Sequence, residues 1–159
     1  MRIKISKNDR RLIKHEIELL SDGTQYKSQS EFIQHGDTSV LKHCYSVTCL
    51  SLSIARHLKV KTYTRALIRG ALLHDYFLYD WHDPDPSHKL HGFKHPRTAL
   101  NNAMRDFKLS KKEQNIILRH MFPLTPIPPL YYEAWIVCIA DKICSTLETL
   151  HCKISIIYY

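Results

Sequence analysis

The sequence predicts an all-α protein. Its 159 residues include only four glycines, and long stretches place apolar residues at the three- and four-residue spacing typical of helices that bury one face. A chain of this length is expected to form one domain with a substantial buried core. Helix start and stop signals divide most of the chain into six helices.

The first half of the chain is predicted to form three helices. The first covers about Asn8–Ser21, because Asp22-Gly23 is a stop signal. Residues 22–37 show no regular pattern and are expected to be irregular. The second helix covers about Thr38–Leu58, and the third covers about Thr62–Tyr79 through the apolar segment ALIRGALL.

Three further helices are predicted in the second half. Proline suits the first helical turn, so His95-Pro96 is expected to open a helix that ends near Phe107. The pattern Ser110-x-x-Glu113 is a capping box for a fifth helix, which is expected to end near Phe122. The proline-rich stretch FPLTPIPPLY is predicted to be an extended connection. A sixth helix covers about Tyr131–Leu150, and the terminal KISIIYY fits either a packed tail or a short strand.

Composition argues against several classes of protein. The N-terminal MRIKISKNDRR lacks the apolar run of a secretory signal, and the longest apolar stretch, 135–140, is too short to cross a bilayer. A soluble cytoplasmic protein without a membrane partner is therefore expected. The five cysteines include no C-x-x-C pair, which argues against a disulfide framework or a zinc ribbon. Cys44, Cys138 and Cys144 lie in apolar helical stretches and are predicted to be buried thiols.

The net charge of +8 with neutral histidines favours an anionic partner. The lysines and arginines are scattered along the chain and form no long run. This distribution suits a phosphorylated small molecule better than nucleic acid, which is not expected as a partner.

Histidine and aspartate are concentrated in ALLHDYFLYDWHDPDPSHKLHGFKHP, residues 71–96. Such side chains together suit zinc, iron or manganese. His82, His88 and His91 lie among proline, serine and glycine, so they are expected to be loop residues, near the mouth of a pocket at most. His74-Asp75 instead follows an apolar run, and both side chains are predicted to begin inside a buried helix.

Other candidates for metal ligands are distributed along the chain. Asp141 interrupts the apolar helix EAWIVCIADKICSTL, where a lone carboxylate is costly unless it is paired or bound to metal. An ion pair with Lys142 is an equally open interpretation. His43, His95 and His120 are each compatible with a hydrogen-bonded structural role. Together with His74 and Asp75, however, these residues are enough for one or two transition metals with open positions for water.

The order of these residues, H…HD…H…H…D, resembles that of the HD-domain (HDIG-type) metal-dependent phosphohydrolase superfamily. The phrases GALLHD and IADK are also similar to the surroundings of that family's ligands. The resemblance implies a single helical-bundle domain over 1–159 with a central metal site. Its core would cover about 38–150, and 1–37 would form an N-terminal helix and a connection.

The resemblance also implies a ligand set. One metal would be held by His43, His74, Asp75 and Asp141. Asp75 would bridge to a second metal completed by His95 and His120, and Asp75 and His74 are expected to act in catalysis. The cofactor is expected to be a divalent transition metal, one or two per chain, with iron or manganese foremost and zinc, nickel, cobalt or magnesium as alternatives.

One departure from the family pattern concerns phosphate binding. Many members have H-D-x-G-K, whose lysine can approach a substrate phosphate, whereas here Tyr76–Tyr79 contains neither glycine nor lysine. Lys94, Arg97 and Arg119 lie close in sequence to proposed ligands and are expected to bind the phosphate instead. Ordinary solvated charges are the alternative for each.

The function expected from the resemblance is hydrolysis of a phosphomonoester or phosphodiester of a nucleotide or small phosphorylated metabolite. A dinuclear centre would supply the attacking hydroxide. Two other functions remain open: a di-iron oxygenase on the same ligands, and a non-catalytic module that binds a nucleotide or RNA.

Overall fold

The computed structural model describes residues 1–83 and 89–159, and its described part contains six α-helices. Their bounds are α1 Lys7–Ser21, α2 Val40–His57, α3 Thr64–Leu73, α4 His91–Asp106, α5 Lys111–Arg119 and α6 Tyr132–Thr149. The strands are short: β1 Arg2–Ile5, β2 Ile33–His35, β3 Thr38–Ser39 and β4 Ser155–Tyr158. The predicted all-α class is confirmed, because helices carry the fold.

Serine residues cap the N-terminal ends of three helices. The hydroxyl of Ser6 accepts a hydrogen bond from the Asp9 N–H at the start of α1, and Ser39 does the same for α2. Ser110 and Glu113 form both hydrogen bonds of the capping box at the start of α5. These caps satisfy N–H groups that have no partner within the helix.

The predicted third helix was too long, because α3 ends at Leu73 and not at Tyr79. The N–H groups of Tyr76 and Phe77 turn back to the carbonyls of Leu73 and Asp75, and Leu78 has a left-handed φ of 61°. This turn buries both aromatic side chains. His74-Asp75 therefore lies at a helix end and not inside a helix.

Two other helix bounds were also wrong. Helix α4 begins at His91, four residues before the predicted start, after Leu90 adopts a left-handed φ of 64°. His91 is thus helical and not a loop residue. Helix α5 ends at Arg119, before the predicted Phe122, because the chain turns through 120–124 into the proline-rich connection, which contains no helix or strand.

The segments outside the helices contain more structure than the sequence suggested. Residues 22–37 hold a 3-10 helix at Tyr26–Ser30 and the strand β2, which pairs antiparallel with β3. The C-terminal segment forms β4, which pairs in parallel with β1. Ile3 and Ile5 of β1 are buried, so this small sheet covers one side of the core.

Helix α2 packs against α3 and α6, and α5 contacts α3, α4 and α6. Their apolar faces meet in one core, whose largest fully buried aliphatic side chains are Ile3, Ile5, Ile13, Leu20, Leu52, Leu67, Ile68, Leu72 and Leu73. Cys44, Cys138 and Cys144 are buried thiols, as predicted. Among the described helices, none is long and apolar enough to cross a membrane.

Close packing of α3 on α5 at Gly70 yields a testable prediction. A Cβ atom at Gly70 would lie 2.5 Å from Ile116 Cδ1 and 2.9 Å from Ile116 Cβ. Gly70→Ala should therefore lower the free energy of unfolding by about 1–3 kcal/mol through overpacking, as measured by urea denaturation. The same substitution should lower the free energy of unfolding by less in an Ile116→Ala background. Equal decreases in both backgrounds would contradict this packing.

Candidate metal centre

Five helical elements bring histidine and aspartate side chains to one buried point. His43 comes from α2, His95 from α4 and Asp141 from α6. His74 and His120 are the residues that cap the C-terminal ends of α3 and α5, and Asp75 directly follows His74. All six side chains are buried. The six predicted ligands converge in the structure.

One carboxylate oxygen of Asp75 faces the first pair of histidines. Asp75 Oδ2 lies 3.6 Å from His43 Nε2 and 3.3 Å from His74 Nε2. Asp141 Oδ1 approaches the same two nitrogens, at 3.1 Å from His43 and 3.7 Å from His74. Two histidines and two carboxylates thus surround one position.

The other carboxylate oxygen of Asp75 faces the second pair. Asp75 Oδ1 lies 3.1 Å from His95 Nε2 and 3.4 Å from His120 Nε2, and these two nitrogens are 2.8 Å apart. The groups His43–His74–Asp75 and Asp75–His95–His120 each have ligand atoms within 4.8 Å of one another. Asp75 is the member that both groups share.

Backbone carbonyls orient three of the imidazoles. The Nδ1 atoms of His74, His95 and His120 lie 2.8–3.0 Å from the carbonyl oxygens of Ala71, His91 and Ile117. A carbonyl oxygen can only accept, so each Nδ1 carries a proton and each Nε2 points to the centre; in the neutral ring that Nε2 offers its lone pair to a metal. This is the tautomer that a metal ligand requires.

Two buried atoms in this centre lack hydrogen-bond partners within the described part of the chain, His74 Nε2 and Asp75 Oδ1. Leaving such atoms without partners is costly in a protein interior. A divalent metal ion on each side of Asp75 would satisfy both, and imidazole with carboxylate suits iron, manganese or zinc. The residues present therefore fit a metal.

The electrostatics favour an ionised centre. Burial raises the pKa of Asp75, but the charge of a protonated His74 and the nearby Nε2 atoms of His120, His74 and His95, all 3.1–3.4 Å from its carboxylate oxygens, outweigh burial and hold that pKa well below its usual range. Burial likewise opposes ionisation of Asp141, and the nearby Nε2 atoms of His43 and His74 reverse the effect and lower its pKa. Both carboxylates are thus available as anionic ligands.

The sequence did not indicate three residues that support the ligands. Glu148 Oε2 lies 2.7 Å from His43 Nδ1, the Ser145 hydroxyl donates to Asp141 Oδ1 at 3.0 Å, and the Gln34 amide donates to Asp75 Oδ2. Glu148 and Ser145 lie seven and four residues after Asp141, on the same face of α6. That spacing was the available signal for them, whereas nothing in the sequence marked Gln34.

A cavity of about 920 Å³ opens beside the centre. Asp75, His95, His120 and Asp141 line one part of it. A larger cavity of about 1100 Å³ lies elsewhere, between α3 and α5. The described residues that line it include no histidine, and two of its four basic side chains, Arg69 and Lys112, are paired with Glu113 and Glu133.

The residues expected to bind phosphate do not line the cavity beside the centre. Lys94 and Arg97 are exposed on α4, and Arg119 is half-buried at the end of α5. Lys142, which the sequence suggested only as an ion-pair partner of Asp141, does line it, and its Nζ stands 4.0 Å from Asp141 Oδ2.

The three other histidines of the cluster have different positions. His91 lines the cavity and stacks on His95, with ring centroids 4.5 Å apart. His82 is exposed and pairs with Asp80. His88 lies outside the described residues.

The helices thus meet at a buried histidine–aspartate centre that could hold metal ions. Residues 40–146 match the family model of the HD domain, which covers well over half of the chain. The chain therefore belongs to the HD domain family. No curated protein and no solved structure matches it.

The shared position of Asp75 predicts the effect of removing it. Asp75→Ala should lose metal from both groups, because each group contains this carboxylate, and metal per chain measured by elemental analysis should fall close to zero. Asp22→Ala, at an exposed aspartate after α1, is the control. Full metal content in Asp75→Ala would show that Asp75 is not a shared ligand.

The contact between Glu148 and His43 predicts a smaller effect on metal affinity. Glu148→Ala should weaken metal binding roughly 10- to 100-fold, because outer carboxylates fix the ring orientation and basicity of ligating histidines. Glu148→Gln should fall between this variant and the unmodified protein. Titration of the metal-free protein measures the effect, and Glu18→Gln on the exposed face of α1 is the matched control. Unchanged affinity in Glu148→Ala would contradict the role.

Proposed function

We propose that this protein is a metal-dependent phosphohydrolase that cleaves a phosphomonoester or phosphodiester of a nucleotide or small phosphorylated metabolite. The observation that carries the proposal is the orientation of Asp75, with one carboxylate oxygen toward each pair of histidines. A centre of this form suits two ions that share a ligand. Membership in the HD domain family supports the same activity.

The proposed ligands are His43, His74, Asp75 and Asp141 for one ion, and Asp75, His95 and His120 for the other. Iron or manganese is the proposed cofactor, one or two per chain. When bound, such ions lower the pKa of water, supply hydroxide at neutral pH and neutralise phosphate charge.

The protein's own residues position these groups. Asp75 holds the two halves of the centre together, and the Gln34 amide keeps its Oδ2 in place. Glu148 and the backbone carbonyls hold the four imidazoles with Nε2 inward. In the reaction, a water oxygen forms a bond to phosphorus while the phosphorus–oxygen ester bond breaks, and the departing alcohol oxygen takes up a proton.

The cavity beside the centre supports access of a small ester. Its volume of about 920 Å³ is within the usual range for sites that bind small molecules, roughly 300–1,000 Å³. The net charge of +8 favours the approach of an anionic substrate.

The experiment that tests this function is elemental analysis of the purified protein followed by a panel of phosphate esters. The panel is run with manganese, iron, magnesium and zinc, and release of inorganic phosphate or of the alcohol is measured. Hydrolysis that depends on metal and stops with a chelator is the expected result. Oxygen consumption by an iron-loaded protein that cleaves no ester would overturn the proposal.

The second ion yields a further prediction. His95→Ala and His120→Ala should each lower metal content towards one equivalent per chain while the fold, measured by circular dichroism, is retained. Turnover should fall further than metal content does, because the proposed reaction uses both ions. His57→Ala, at an exposed histidine at the end of α2, is the control. Undiminished turnover in either variant would defeat the two-ion proposal.

A further inference from the structure

The cavity beside the metal-ligand candidates is lined by two chemically different groups of residues. The polar part contains the metal-ligand candidates Asp75, His95, His120 and Asp141 together with Lys142 and Ser145. The apolar part contains Trp81, Met121, Pro123 and Leu124. A ligand that fills the cavity would therefore combine an anionic group with an apolar body.

Lys142 is held in the polar part of the lining by a backbone contact. Its ammonium donates to the carbonyl oxygen of His120 at 2.7 Å and lies 4.0 Å from Asp141 Oδ2. Lys142 therefore bridges α6 to the end of α5, beside ligand candidates from both halves of the centre. Because its side chain is 42% exposed, it remains accessible from the cavity.

An ammonium group has three N–H donors, and the carbonyl of His120 takes one. The Cys138 side chain takes a second, and the contact with Asp141 is too long for a hydrogen bond, so one donor remains for a ligand. Among the described residues that line the cavity, Lys142 is the one lysine, and none is an arginine. The segment Tyr76–Tyr79 lacks the lysine of the H-D-x-G-K pattern, so it supplies no other cation for a phosphate.

We propose, building on the phosphohydrolase function above, that Lys142 binds the phosphoryl group of the substrate and that the apolar wall receives the organic group of the ester. The ammonium hydrogen-bonds a phosphoryl oxygen and offsets its negative charge. The preferred substrates are esters whose organic group is a flat, largely apolar ring system, and phosphates of small polyols are poor substrates.

The apolar part contains a feature that matches such a ring system. The rings of Trp81 and His91 both line the cavity and stack on each other, with centroids 5.0 Å apart. A flat ring suits a wall made of aromatic rings. Gly92 shapes the same part, because a Cβ there would lie 3.1 Å from Leu124 Cδ2.

Binding of inorganic phosphate to the manganese-loaded protein tests the role of Lys142 without requiring turnover. Lys142→Ala and Lys142→Gln should bind phosphate about tenfold more weakly or worse, as expected for loss of a hydrogen bond to a charged group, at unchanged metal content. Lys142→Arg should recover part of the affinity because it restores the charge. Lys111→Ala, at an exposed lysine at the start of α5, should bind phosphate normally.

Three outcomes of this titration would overturn the role of Lys142. The first is wild-type phosphate affinity in Lys142→Gln. The second is loss of metal in all three Lys142 variants, which would assign the residue to the metal centre. The third is weakened binding in Lys94→Ala or Arg97→Ala with none in the Lys142 variants.

An ester panel tests the apolar part of the lining. The wild-type protein should hydrolyse 1-naphthyl phosphate with a KM at least about tenfold lower than that for glycerol 3-phosphate. Leu124→Ser and Met121→Ser should raise the KM for the naphthyl ester and leave that for glycerol 3-phosphate unchanged. Equal KM values for the two esters would refute the substrate class. If no ester is cleaved, the phosphohydrolase function fails, and the phosphate titration still decides whether Lys142 binds the anion.

Discussion

The buried carboxylate of Asp75 is the constraint on which the rest of the centre depends. Its side chain is 1% exposed, and an ionised carboxylate removed from water is very costly unless other groups replace the lost hydration. Four imidazoles and the Gln34 amide surround it, and His74, His120 and His95 lower its pKa despite its burial. The helices that meet at this point therefore each bring a polar group to an otherwise apolar core.

Helices α3 and α5 each bring an imidazole to Asp75 from the residue at their C-terminal end. His74 caps α3 and His120 caps α5, and each Nδ1 binds the carbonyl oxygen of the residue three positions earlier. Those carbonyls belong to the last turn of each helix, where the backbone leaves acceptors without partners. One hydrogen bond thus completes the helix end and turns Nε2 toward Asp75, so local stability and site geometry share the same contact.

Helix α6 organises the opposite side of the centre. Asp141, Ser145 and Glu148 lie along one face, where they provide a ligand candidate, a donor to that ligand and an acceptor for His43. The Lys142 side chain extends from the same turn toward the cavity, and its ammonium donates a hydrogen bond to the carbonyl oxygen of His120. A single helix thereby supports both the candidate metal centre and the proposed phosphate contact.

The sequence by itself determined the helical class, the capping box of α5 and the six residues that converge on the centre. These features depend on periodicity, on local hydrogen bonds within a few residues, on the costly placement of histidine and aspartate in apolar segments, and on the resemblance of the histidine–aspartate order to that of the HD domain family. Only the tertiary structure decided where α3 ends, because the turn after His74 is stabilised by burial of Tyr76 and Phe77 in a core made by distant helices. Contacts between segments far apart in the chain likewise set the pairing of β1 with β4 and the contact of Glu148 with His43. They also decided that Lys142 lines the cavity, whereas Lys94 and Arg97 do not. Local patterns do not encode such distances, since they arise only when the helices pack.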